Sequence, residues 1–135
     1  MKRLFLDANV LFTAAHNPNG KAAFLIGLGR MADLQFATSP YALEEARRNL
    51  ARKAPHALGA LVTIIKPIHL VRDHSDLACP SCLPEKDWPI FRAAQACQAD
   101  VLLTGDLRDF GPLMNAPELT DGLIIQTVAD FLNSL

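Results

Sequence analysis

Five short apolar runs are spaced along this chain, at 3–6, 34–37, 68–71, 101–103 and 123–125, and the residues between them carry helical signals. Each run has strand length, and the intervening segments are long enough for helices. The spacing predicts helices over 9–15, about 21–29, 40–53, 56–65, 88–97 and 127–132. Asn17-Pro18-Asn19-Gly20 breaks the first pair, and Thr38-Ser39-Pro40 opens the third helix with a capping hydroxyl and a proline just inside. Ala54-Pro55 closes that helix. Residues 72–86 read as a loop, with two prolines and two cysteines. Strands alternating with helices give βαβ units and a mainly parallel, twisted sheet, an α/β fold. Ligands of such sheets sit in the crevice beyond the carboxyl ends of the strands.

Composition narrows the possibilities further. A chain of 135 residues, half of them hydrophobic and a fifth charged, suits one globular domain over 1–135. No apolar run approaches the roughly 18 residues that span a bilayer. A strand begins almost at the N-terminus, which leaves no room for a signal peptide. The three cysteines, an odd number without a secretion signal, point to reduced thiols and a cytoplasmic protein. With a formal net charge of −1, any nucleic-acid contact must come from a local basic patch. There is no G-x-G-x-x-G and no P-loop, which disfavours nucleotide-cofactor chemistry. Cys79-x-x-Cys82 has no second Cys or His pair at zinc spacing after it, and incidental thiols are the better reading.

Acidic residues stand at the element boundaries. Asp7 ends the run Leu4-Phe5-Leu6, and Asp106 follows Val101-Leu102-Leu103. Both therefore belong to the carboxyl-end crevice. Asp87, Ile90, Phe91 and Ala94 share one helix face, so Asp87 sits at the amino end of a core-facing stripe. Asp87 also precedes Trp88-Pro89, where it would serve equally as a plain N-cap. Glu44 and Glu45 lie on opposite shoulders of their helix, and periodicity does not choose between them. Glu44 is also placed for an i,i+4 pair with Arg48. Like charges repel, so carboxylates converging from separate elements suit a hard divalent cation better than they suit structure.

The motifs L-D-A-N-V-L at 6–11, S-P-Y-A-L-E-E-A-R-R-N-L at 39–50, D-W-P-I-F-R-A-A at 87–94 and A-D-V-L-L-T-G-D-L-R-D-F at 99–110 resemble, in order, those of the PIN-domain ribonucleases. That family includes the toxin nucleases of bacterial toxin–antitoxin pairs. The resemblance implies a three-layer αβα sandwich with acidic catalytic and metal-binding residues at Asp7, Glu45, Asp87 and Asp106. It favours Glu45 over Glu44. It places Asn9 and Thr104 as supporting groups, with Asp109 at a commonly acidic or polar position. The cofactor it implies is Mg²⁺ or Mn²⁺, and the activity is metal-dependent hydrolysis of RNA. A homodimer and a small antitoxin are the implied partners. Arg48, Arg52, Arg92 and Arg108 flank the acidic stations and are candidate RNA contacts. The alternative is a catalytically weak PIN-like module that binds nucleic acid or protein; retention of all four acids speaks for the enzyme. A phosphatase-type aspartate enzyme would want a second aspartate where Asn9 stands.

Overall fold

The computed structural model describes residues 1–29 and 31–135. Five strands form one all-parallel sheet: β1 (Lys2–Leu6), β2 (Leu34–Thr38), β3 (His69–Leu70), β4 (Val101–Leu103) and β5 (Ile124–Gln126). Their spatial order is β3-β2-β1-β4-β5. The central strands are buried on both faces, with Leu4, Phe5, Leu6, Leu102 and Leu103 fully inaccessible. A parallel sheet covered on both sides demands such uninterrupted apolar runs.

Six helices flank the sheet: α1 (Ala8–His16), α2 (Lys21–Gly27), α3 (Pro40–Lys53), α4 (Leu58–Ile64), α5 (Trp88–Ala96) and α6 (Val128–Asn133). Helix α1 packs against α2, α3 and α4, while α5 packs on β4 and touches α3. Local chemistry sets several boundaries. Ser39 Oγ accepts from Ala42 N at 3.2 Å, and Pro40 opens α3. Thr127 Oγ1 accepts from Asp130 N at 3.0 Å, so this residue caps α6 and lies just outside it.

Several expected boundaries move. The helix expected over 56–65 divides into a 3₁₀ turn at Pro55–Ala57 and α4. Helix α2 stops at Gly27, short of 29. Strand β3 is only two residues long, both exposed at the sheet edge, where pairing comes from one side alone. The last strand sits one residue later than its apolar run, because Ile124 pairs with Val101 and Gln126 with Leu103. Three further 3₁₀ turns, Glu85–Asp87, Gly111–Leu113 and Pro117–Leu119, carry no periodic signal.

The sheet order puts a switch point at β1. From β1 the chain moves outward to β2 and β3, then returns to β4 on the other side. Leu6 pairs with Leu103 in register, so the residues that follow the two strands emerge side by side. A crevice at the carboxyl ends of diverging strands is where ligands bind in such sheets.

Candidate metal centre

Asp7 is 4% exposed and caps α1. Its Oδ1 accepts from Ala8 N at 2.7 Å. Its Oδ2 accepts from Thr104 Oγ1 at 2.7 Å and from Asn9 Nδ2 at 3.1 Å. All three donors are neutral. Burial therefore dominates and pushes the Asp7 carboxyl from its ordinary 3.8 up to about 6; the hydrogen bonds oppose the shift, and the Glu45 charge reinforces it.

Thr104 joins the two central strands at this point. Its hydroxyl, fully buried, donates to Asp7 and accepts from Asp106 N at 3.1 Å. Asn9 completes the link, its Oδ1 accepting from Gly105 N at 2.6 Å. A Cβ on Gly105 would lie 3.3 Å from Asn9 Oδ1, so a side chain there would crowd the contact. Thr104→Val keeps the shape and removes the hydroxyl, leaving Asp106 N and one lone pair of Asp7 without their partner. The expected cost is about 1–3 kcal/mol, measured by denaturant unfolding at pH 5 with chelator.

Across the crevice, Asp87 and Asp109 meet Asp106. One carboxylate oxygen from each lies within 4.8 Å of the other two. Among the described residues, this is the one cluster of three or more His, Cys, Asp or Glu side chains that close. Asp106 and Asp109 share a turn in which Asp109 N donates to Asp106 Oδ1 at 3.0 Å. Asp87 is pushed up to about 7, by burial first, then by its shared hydrogen bond with Asp109 and by the charges of Asp109, Asp106 and Asp7. The same hydrogen bond and the nearby Lys86 hold Asp109 below the usual range.

The N-cap reading of Asp87 fails. The residue stands at the cap position of α5 with helical backbone angles, and its side chain makes no capping bond. The preceding 3₁₀ turn runs straight into the helix. The Asp87 carboxylate is left facing the crevice with its buried Oδ2 lacking any hydrogen-bond partner.

The two glutamates separate clearly. Glu44 is gripped by the Arg47 guanidinium, with Nε to Oε1 at 2.7 Å and Nη2 to Oε2 at 2.8 Å. The pair spans three residues; the expected four-residue pair with Arg48 does not form. Glu45 faces the crevice, where its charge acts on both Asp7 and Tyr41. Glu45, Arg48, Asn49 and Arg52 line a groove of about 430 Å³ beside it. Arg108 is exposed on the turn between Asp106 and Asp109.

Arg92 also holds the neighbouring loop. Its Nε donates to Leu77 O at 2.7 Å, and its guanidinium lies over the Trp88 ring at 5.1 Å. Trp88 Nε1 in turn donates to Leu83 O at 3.0 Å. These contacts fasten the 72–86 loop to α5, so Arg92 is a tie for the loop. The loop cysteines are free thiols, Cys79 packed against the core and Cys82 exposed.

Two residues escaped sequence reasoning. Tyr41 Oη donates to Lys86 O at 3.0 Å, pinning the turn before α5 onto α3. Lys86 Nζ lies 3.1 Å from Asp109 Oδ2. The first contact spans 45 positions, and no local pattern announces it.

Residues 3–108 match the sequence pattern of the PIN domain, and the chain belongs to that family. Solved structures agree on the fold. A VapBC complex from Salmonella typhimurium bound to DNA superposes with a TM-score of 0.67 at 16% identity, over 95% of this chain and 99% of that one. VapBC2 from Rickettsia felis, bound to a fragment of its promoter, gives 0.65 at 15%, over 93% and 98%. VapC20 of Mycobacterium tuberculosis, a toxin that cleaves the sarcin–ricin loop, gives 0.58 at 13%, over 81% and 94%. No curated protein matches the chain by sequence. No helix among the described residues is long and apolar enough to cross a membrane.

Proposed function

We propose that this protein is a metal-dependent endoribonuclease of the toxin type, with a catalytic and metal-binding set of Asp7, Glu45, Asp87 and Asp106, joined by Asp109. The observation that carries the proposal is the meeting of Asp87, Asp106 and Asp109 within 4.8 Å around a buried, unpartnered Asp87 Oδ2. Such a cluster is strained by repulsion when empty of cations. An all-oxygen donor set suits Mg²⁺ or Mn²⁺ and disfavours softer metals. A cation held there supplies Lewis acidity toward a phosphodiester and makes a water acidic enough to attack it.

The chain's own residues do the rest. Thr104, Asn9 and the Ala8 amide fix both oxygens of Asp7, so the carboxylate is oriented before any ligand arrives. Asp87, its carboxyl raised by burial and by the neighbouring carboxylates, is the group that would give up a proton when a cation binds. Arg48 and Arg52 line the groove beside Glu45, and Arg108 is exposed on the turn between Asp106 and Asp109, three cations able to hold phosphates of a substrate. A partner of antitoxin type is supported by the structural neighbours crystallised as VapBC complexes.

The test is incubation of the purified protein with structured and unstructured RNAs in Mn²⁺, Mg²⁺ or chelator, beside an Asp106→Asn control. Internal cuts are expected with either metal and with the wild type only. Cleavage that persists in chelator, or in the Asp106→Asn protein, would sink the metal-nuclease reading.

A further inference from the structure

Lys86 is held at both ends. Its carbonyl accepts the Tyr41 hydroxyl at 3.0 Å, and its ammonium lies 3.1 Å from Asp109 Oδ2. The lysine side chain is 72% exposed and that of Asp109 only 11%, so the ammonium closes the carboxylate trio from the solvent side. The contact falls short of hydrogen-bond geometry, which leaves Asp109 Oδ2 buried and held by charge alone. An ammonium on a flexible stem is a mobile point charge, able to swing out while its backbone stays pinned.

We propose that Lys86 is a resident cation of the Asp87–Asp106–Asp109 cluster, which a divalent ion must displace from Asp109 in order to bind. The inference rests on the metal-site reading above. In the metal-free protein the ammonium, 3.1 Å from Asp109 Oδ2, offsets part of the carboxylate repulsion. When a divalent cation enters, the ammonium loses its partner and repels the incomer. Lys86 therefore weakens the protein's own metal affinity and raises the cation concentration at which the site fills. An exposed ion pair is weak, so the divalent charge prevails, with a modest cost in affinity.

Lys86→Met keeps the stem and the backbone carbonyl that Tyr41 holds. Mn²⁺ binding is measured by calorimetry without RNA, at pH 8 and low ionic strength, for wild type, Lys86→Met, Lys86→Arg and Asp106→Asn. Lys86→Met is expected to bind about three- to tenfold more tightly than wild type, with the gain shrinking as added salt shortens the reach of the charge. Lys86→Arg should stay close to wild type. If wild type binds Mn²⁺, Asp106→Asn does not, and Lys86→Met binds no more tightly than wild type, the resident-cation proposal is overturned and the metal site stands. If wild type takes up no Mn²⁺, or Asp106→Asn binds as well as wild type, the metal site falls and this proposal falls with it.

Discussion

Asp7→Asn is expected to lose RNA cleavage on the order of a thousandfold, roughly 4 kcal/mol of transition-state stabilisation, while the metal-free protein remains folded. The substituted amide keeps an oxygen for the Ala8 N–H. It presents an NH₂ group where Oδ2 received Thr104 and Asn9, which costs about 1 kcal/mol in hydrogen bonding. Against that, it removes a buried charge whose only partners are neutral. The balance depends on pH. Below pH 3.8 Asp7 is protonated in both the folded and the unfolded chain, and the substitution shows only its cost. At pH 8 wild type carries the buried charge, and the variant should equal or exceed it in stability. Unfolding curves of the two proteins in chelator should therefore cross between about pH 4 and 6. A variant that is markedly less stable at pH 8 would make Asp7 a structural residue and weaken the nuclease proposal.

The second large effect belongs to the wild type. The Asp7 carboxyl rises from 3.8 in the unfolded chain to about 6 in the folded one. Protonation is thus favoured by folding. The associated stability is whole below pH 3.8, and it is lost as pH rises through 6. The shift corresponds to about 3 kcal/mol at most. Asp87, pushed up to about 7, acts in the same direction at somewhat higher pH. Asp109 is shifted the other way, and its contribution changes only below the ordinary carboxylate range, outside this window. The metal-free protein should therefore melt at a lower temperature at pH 8 than at pH 5. Added Mg²⁺ should restore the difference, with a stabilisation that grows with pH and a release of protons near pH 6–7. Melting temperatures at pH 5, 6.5 and 8, in chelator and in Mg²⁺, measure this; a metal effect independent of pH would contradict it.

Much of the fold was legible because a parallel sheet covered on both faces imposes apolar runs that few other structures need. Val101–Leu103 is the clearest instance, since its run and its strand coincide. The last strand escaped by one residue because Gln126, polar at the crevice end, still pairs with Leu103. The acidic stations were visible individually, as carboxylates at element ends. Their convergence on the carboxyl-end crevice was legible too; the place of Asp109 in the tight trio was not. Asp109 stands in the tight cluster because the turn after β4 folds back so that its amide reaches Asp106, a geometry with no periodic signature. Glu44 and Glu45 looked equivalent on a helical wheel; only Arg47, which grips the first, separates them. Arg92 was read as a candidate RNA contact because it flanks Asp87 in sequence; its bond to Leu77, 15 positions away, had no local signal.

The pairing of Leu6 with Leu103 ties assembly of the proposed centre to the order of synthesis. Asp7 is made well before the strand that sets Asp106 beside it. A nascent polypeptide still attached to its ribosome has no assembled centre until β4 has emerged and slotted against β1. A chain able to cut RNA would in this way stay harmless to the machinery translating it until that strand is in place.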